Sequence, residues 1–280
     1  MSRGIILAAC QPPWPKAERP AEQIWEAAFG LCVKAIRRGA QALCLPEYLN
    51  VAGMAVEDAL ERCDETADQL QQRFEELCRR EGVWVVLPVL RRWDGVLRNS
   101  ALLIGPEGLC GCYHKVHLTN SEREKWGIVP GDEFPVFDVQ WGRVGIMICY
   151  DGCFPEAARI LAVHGAEVIF FPSLQRSFPE HQLELQVRCR AFDNFVWVVR
   201  SSYGTPREEA WQPGVPVGKS CIAAPDGTLA ADVGRFVGVA IAEAELDKPE
   251  LGLLEHSGPV GALRDRRMAD RRPEVYSGLC

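Results

Sequence analysis

Three side chains able to do chemistry each follow an apolar run of strand length in this 280-residue chain. The run Ala42-Leu43-Cys44-Leu45 leads into Pro46-Glu47-Tyr48. Pro46 cannot donate to a strand ladder, so it ends the run and leaves Glu47 at its tip. The segment Cys112-Tyr113-His114-Lys115-Val116-His117-Leu118 carries a lysine. Read as a strand, it puts Lys115 on one face with Tyr113 and His117, and His114 and Val116 on the other. The two histidines therefore diverge and make a poor metal pair. The run Val144-Gly145-Ile146-Met147-Ile148-Cys149 ends in a cysteine, a short turn follows, and Pro155-Glu156 opens a helix. Such a strand-to-helix elbow exposes a nucleophile and leaves the next backbone N–H free to hold an oxyanion. Taken one at a time, each residue also has a bland reading. Glu47 could be a surface acid in a loop, Lys115 an edge lysine that deters strand pairing, and Cys149 one more buried cysteine among twelve.

Other apolar runs fall at Ile5–Ala9, Val83–Leu87, Ser100–Ile104, Val168–Phe171 and Val196–Val199. Near-continuous runs of this kind suit strands covered on both faces. Helical patterns lie between them. Residues 21–38 stop at Gly39, residues 66–80 open on Thr66, residues 155–164 open on Pro155, and residues 180–193 form a fourth. This alternation predicts an α/β protein, with a large mixed sheet or two packed sheets and helices outside. Residues 217–243 alternate short strands around Pro225-Asp226-Gly227 and predict a hairpin. From Leu254 the chain turns polar, reading either as a solvated surface segment or as an arm on a partner subunit.

Composition removes several function classes. The 38 acidic residues outnumber the 31 basic ones, for a formal net charge of −7 and a mean hydropathy of −0.07. That balance argues against a polyanionic partner such as nucleic acid and against docking on an anionic membrane surface. No apolar run is long enough to span a bilayer. The opening Met1-Ser2-Arg3-Gly4-Ile5-Ile6 has no signal-peptide pattern, so a cytoplasmic protein is expected. The twelve cysteines are scattered without a CxxC pair and mostly lie in apolar surroundings, as reduced core thiols would. With five histidines, a zinc site is not expected.

Together the three motifs resemble the nitrilase superfamily of carbon–nitrogen hydrolases, whose signature is a Glu, a Lys and a Cys. The likeness covers nearly the whole chain. Leu43–Leu49 resembles the Glu motif, Tyr113–Leu118 the Lys motif and Val144–Ala162 the Cys motif, in the order and separation of the family. Cys189–Ser202, Pro225–Gly234 and Asp270–Tyr276 are similar to its later segments. The resemblance implies a single domain over 1–280, a four-layer α-β-β-α sandwich of two packed mixed sheets, and a C-terminal arm from about residue 254. It implies a homodimer or higher homo-oligomer stacked through the helices that begin at Pro155 and near Glu180.

The resemblance also implies roles. Cys149 is the nucleophile. A free thiol, with a pKa of about 8.5, is only a few per cent thiolate at neutral pH and needs a base or a cation. Glu47 supplies the base, and Lys115 with the Tyr150 backbone N–H supplies the oxyanion donors. A second family acid precedes Pro130-Gly131. Its spacing favours Glu124, with Glu122 as the fallback, to orient the substrate or to hold Lys115. Tyr48, Tyr150, Phe154, Ser173 and Gln175 are candidates to shape the pocket. No metal or organic cofactor is called for, because all these groups belong to the protein. Nitrile-cleaving members carry Trp-Glu after the cysteine, whereas Tyr150-Asp151 resembles the amidase and carbamoylase branches. Gly152-Cys153 stands where D-amino-acid carbamoylases place paired arginines. The expected activity is therefore a thiol amidohydrolase acting on a small linear amide or N-carbamoyl amine. The alternatives are a nitrilase, a silent binding protein on the same fold, and, last, a redox protein using Cys149 and Cys153.

Overall fold

Strands β1 (Gly4–Gln11), β2 (Ala42–Cys44), β3 (Trp84–Trp93), β4 (Val96–Gly105), β5 (Gly108–His114) and β12 (Gly238–Glu245) form one sheet, ordered β12-β1-β2-β3-β4-β5. Strands β6 (Val136–Val139), β7 (Gly142–Ile146), β8 (Val168–Pro172), β9 (Trp197–Ser201), β10 (Cys221–Ala223) and β11 (Leu229–Asp232) form the second, ordered β11-β10-β9-β8-β7-β6. Each sheet has a parallel centre, β1-β2-β3 in one and β7-β8-β9 in the other, with antiparallel flanks. These coordinates are a computed structural model that describes residues 3–16, 19–176, 178–210, 215, 218–247 and 263–276.

The period of two along each strand builds the layers. In β1, Ile5, Leu7 and Ala9 enter the core between the sheets, while Ala8 and Cys10 face the helices α1 (Ala21–Arg37) and α2 (Val56–Glu81). In β8, Phe170 enters the central core, while Ile169 and Phe171 meet α4 (Pro155–Val163) and α5 (Glu180–Asn194). The result is the α-β-β-α sandwich, with α1 and α2 on one outside and α4 and α5 on the other.

Two elements differ from the sequence expectation. Helix α2 starts at Val56, ten residues before Thr66. Its acid-rich first turns hide the apolar stripe, and Thr66 lies inside the helix with its hydroxyl on the Arg62 and Cys63 carbonyls (2.9 and 3.2 Å). Around Asp226-Gly227 only β10 and β11 form the predicted hairpin. Strand β12 leaves for the other sheet and runs antiparallel to β1 along its full length. Residues 254–262 of the expected arm lie outside the described residues; beyond them α6 (Leu263–Ala269) brings Met268 against the core under α4 and α5. Among the described residues no helix is long and apolar enough to cross a membrane.

The first layer is tied to its sheet by one buried amide. Asn50, fully buried in the turn after β2, donates to the carbonyls of Cys63 (3.0 Å) in α2 and Leu90 (2.8 Å) in β3, and accepts from the Leu90 N–H (2.8 Å). Asn50→Ala leaves the N–H and carbonyl of Leu90 buried and unpaired, each worth about 1–3 kcal/mol, while the Cys63 carbonyl keeps the Thr66 hydroxyl. Denaturant unfolding should show a loss of about 2–4 kcal/mol; a loss within error would mean that water replaces the amide without cost.

Candidate active site

The carboxylate of Glu47, the ammonium of Lys115 and the thiol of Cys149 arrive from three loops at one end of the two sheets. Glu47 follows β2. Its backbone carbonyl accepts the Tyr203 hydroxyl (2.8 Å), and its side chain is 2% exposed. Next to it, Tyr48 takes a left-handed backbone (φ 61°), which turns the chain sharply out of the strand.

Lys115 lies one residue past β5, where its N–H still reaches the Asn99 carbonyl of β4 (2.9 Å). Its carbonyl accepts the Gly131 N–H (2.9 Å). A Cβ on Gly131 would stand 2.3 Å from the His114 carbonyl oxygen, so only glycine allows this approach. The ammonium is 1% exposed and donates to Glu47 Oε1 (2.8 Å) and to Glu122 Oε1 (2.7 Å) and Oε2 (3.0 Å). Asn99 bridges the two acids, with Nδ2 2.8 Å from Glu47 and 2.9 Å from Glu122. The Tyr48 hydroxyl donates to Glu122 (2.5 Å).

The structure thus brings Glu122, and not the expected Glu124, to Lys115. Glu122 is buried and Glu124 is exposed. Two residues along a helix rotate a side chain by about 200°, so the two acids of α3 (Asn120–Glu124) face opposite ways. The signal for Glu122 is its capping box with Thr119, the pattern T-x-x-E. Thr119 donates its N–H (2.8 Å) and hydroxyl (2.9 Å) to Glu122 Oε2, which fixes the carboxylate before the lysine is counted.

Cys149 follows β7 at φ 48°, a left-handed conformation that costs a non-glycine residue energy and presents its side chain at the elbow. The brace is Asp151, fully buried. Its carboxylate accepts the Ile148 N–H (2.8 Å), the Tyr113 hydroxyl (2.6 Å), the His117 N–H (2.9 Å) and a contact from His117 Nδ1 (2.9 Å). One acid therefore latches the cysteine elbow to the lysine segment. Past β5 the chain no longer alternates as a strand. His114 turns to Ser100 (2.8 Å) and His117 to Asp151, while its ring stacks on Phe154 at 3.8 Å. Among the described residues no cluster of His, Cys, Asp and Glu could hold a metal ion.

The electrostatics sort the groups. Burial would discharge Lys115, but Glu47, Cys149 and Glu122 around it raise its pKa above the ordinary lysine value. Burial also works against an ionised Glu122, yet the Lys115 charge and its hydrogen bonds hold that carboxyl below the usual range. Glu47 goes the other way: burial and the neighbouring Glu122 charge push it up, against the pull of Lys115. Burial and Glu47 push the Cys149 thiol up, against Lys115 and the Leu174 backbone N–H. The resting cysteine is thus a neutral thiol facing a carboxylate that holds a proton more readily than its partner does.

The candidate pocket residues divide. Tyr150 and Phe154 meet edge to face at 5.1 Å and, with His117 and the Val116–Ser121 segment, wall a depression of about 620 Å³ that none of Glu47, Lys115 and Cys149 lines. Tyr48 points into the ion cluster, and its ring stacks on Trp126. Ser173 is buried and donates to Gln175 Oε1 (3.0 Å). Sequence reasoning passed over Asn99, Tyr203 and the bracing role of Asp151. Asn99 was visible only as one amide at the edge of the apolar run Ser100–Ile104.

The chain is similar to known proteins along most of its length. The carbon-nitrogen hydrolase family model matches residues 6–250. The chain is 35% identical over 257 residues to a nitrilase of Pyrococcus abyssi, covering 88% of this chain and 90% of that one. It is 29% identical over 226 residues to the omega-amidase NIT2 of Homo sapiens, covering 77% and 80%. Its fold matches an amidase from Nesterenkonia sp. with a TM-score of 0.78 at 20% identity, over 100% of this chain and 97% of that one. A mutant of the Nesterenkonia sp. AN1 amidase matches with a TM-score of 0.79 at 20% identity, covering 100% and 97%, and carries the acetamide moiety of fluoroacetamide covalently on its active-site cysteine. With the family model spanning most of its length, the chain belongs to the carbon-nitrogen hydrolase family, within the nitrilase superfamily.

Proposed function

We propose that the protein is a thiol amidohydrolase that cleaves a small linear amide or N-carbamoyl amine through an acyl group on Cys149. The observation that carries this reading is the buried Lys115 ammonium held between Glu47 and Glu122 beside the Cys149 thiol. Glu47 takes the thiol proton as sulfur attacks the carbonyl carbon, and the C–S bond forms. Lys115 and the Tyr150 backbone N–H hold the resulting oxyanion. Glu47 returns the proton to the nitrogen, the C–N bond breaks, and ammonia or an amine leaves. Glu47 then deprotonates a water that attacks the thioester, the C–S bond breaks, and the acid leaves as the thiol is restored. A thiol with a raised pKa suits this sequence, because the base removes its proton only as the attack proceeds. Glu122 and Asn99 keep Lys115 and Glu47 in register.

A relative named omega-amidase, and an amidase mutant whose active-site cysteine carries the acetamide moiety of fluoroacetamide, support the amide reading. A second reading, hydrolysis of a nitrile to an acid, is favoured by the relative named nitrilase. Tyr150-Asp151 at the elbow favours the first. Ammonia release from a panel of amides, ureido acids and nitriles separates them: turnover of nitriles alone would overturn the amide reading. The exposed apolar side chains of α4 and α5, among them Ile160, Val163, Leu185 and Phe192, support a homodimer stacked on that face. Light scattering should give twice the chain mass, and Leu185→Glu should shift it toward the monomer; a wild-type monomer at micromolar concentration would refute the stacking.

Cys149→Ala should abolish turnover in a folded protein. Mass spectrometry of the wild type with a slow amide should find an acyl adduct on Cys149 and on no other cysteine. More than trace activity in the variant would remove Cys149 from its role.

The two acids of α3 give the sharper test of the ion cluster. Glu122→Gln removes a charge that Lys115 needs and leaves the ammonium with one carboxylate, a change that typically costs about 3–5 kcal/mol in a buried pair. Its turnover should fall by about a hundredfold or more, while Glu124→Gln should match the wild type in rate and unfolding midpoint. Equal effects of the two changes would mean that Glu122 is not part of the machinery.

A further inference from the structure

Arg200 stands near the end of β9, between Phe171 of β8 and Cys221 of β10, and is fully buried. Its guanidinium keeps its charge at any working pH, yet among the described residues no carboxylate meets it. Its partners are dipoles: Nη1 donates to the carbonyls of Gly218 (2.8 Å) and Lys219 (2.9 Å), and Nη2 to Gln175 Oε1 (3.3 Å). Among the described residues Nε has no hydrogen-bond partner. A buried cation answered only by dipoles is costly, and an apolar residue would fill the place more cheaply, as Val198 and Val199 beside it do. Packing alone does not account for a charge here.

The charges around Cys149 supply a reason. The charged groups that act on it are Glu47 from the loop after β2 and Lys115 from the segment after β5, and the Arg200 guanidinium couples electrostatically to the same sulfur. With both acids ionised, Glu47, Glu122 and Lys115 sum to one negative charge, which opposes further negative charge on the sulfur. The carboxylate of Asp151, buried at the same elbow, adds a second negative charge, and Arg200 offsets one of the two. It also acts through the chain. Gln175, which it grips, follows Leu174, whose backbone N–H is directed at the Cys149 sulfur. The Ser173 hydroxyl holds the same Gln175 oxygen (3.0 Å), and Gln175 Nε2 donates to Gln186 Oε1 (3.1 Å), so the Ser173–Gln175 loop is fixed from three sides.

We propose that Arg200 is a positioning residue for the nucleophile. Its unbalanced charge favours negative charge on the Cys149 sulfur, and its grip on Gln175 aims the Leu174 N–H at that sulfur. This rests on the reading of Cys149 as the nucleophile.

The test uses the full chain with Arg200→Met and Arg200→Lys. The alkylation rate of Cys149 by iodoacetamide is followed by peptide mass spectrometry from about pH 6 to pH 10, beside kcat and KM on the best amide of the panel. For Arg200→Met, the midpoint of the alkylation profile should rise by about one pH unit. Its kcat should fall by about tenfold or more with KM within about twofold. Arg200→Lys should restore most of the midpoint, because it restores the charge. A folded Arg200→Met with the wild-type profile and kcat overturns the proposal, as does a slow variant whose midpoint has not moved. If Arg200→Met does not fold, Gln175→Leu gives the decision. It leaves the guanidinium in place and frees the loop, so slower alkylation at every pH supports the proposal and a wild-type rate refutes it. A wild type that shows neither selective alkylation of Cys149 nor amide turnover would refute the reading of the site itself, whatever the variants do.

Discussion

A charged lysine inside a protein needs its counter-charges fixed before it arrives, and the rest of this site is arranged around that need. Lys115 is as buried as any core leucine and is ionised because two carboxylates wait for it. Each is prepared by a different element. The helix cap at Thr119 orients Glu122, and Tyr203 with Pro46 holds the strand end that carries Glu47. Asn99 ties the two acids together from β4. The cost of bringing three charges out of water is offset only when such geometry is complete. That accounts for the number of neutral groups spent on two carboxylates and one ammonium.

Cys149 is bound into the same arrangement by a third buried acid. Asp151 accepts hydrogen bonds from the backbone at Ile148, from the Tyr113 hydroxyl and from the His117 N–H, so the left-handed turn at Cys149 cannot relax without breaking contacts to the lysine segment. Strain at one residue is thus held by hydrogen bonds that span both sheets. A glycine follows Asp151 for a steric reason: a Cβ on Gly152 would lie 2.3 Å from the Phe171 ring. The elbow is packed against β8 as tightly as it is latched to β5.

Much of this was legible in the sequence, and for a common physical reason. Parallel strands buried on both faces read as unbroken apolar runs, so a charged or nucleophilic residue at the end of one stands out, as Glu47 and Cys149 do. The helix that stops at Gly39 and the one that opens on Pro155 are equally visible through those residues. What was hidden depends on information that is not periodic. The first turns of α2 are too acidic to show their apolar stripe. Strand β12 could not be assigned to the other sheet, because its partner β1 lies more than two hundred residues away. Glu122 and Glu124 differ by half a turn of a short helix. Spacing to Pro130-Gly131 pointed to one and the capping box to the other, and the local hydrogen-bond pattern was the better guide because it acts on the carboxylate directly.

The cysteines carry the same lesson from the other side. Eleven of the twelve are described, all as free thiols, and most pack in apolar surroundings. Cys10 and Cys32 lie 3.8 Å apart in the core and answer each other; burial lifts Cys44 and Cys221 as it lifts Cys149. A high thiol pKa therefore does not single out Cys149, and neither does residue type. What separates it is the company at its sulfur: a carboxylate whose own pKa is raised, an ammonium that two acids keep charged, and a backbone N–H from the loop after β8. The three loops that converge on Cys149 set it apart from the other ten described thiols.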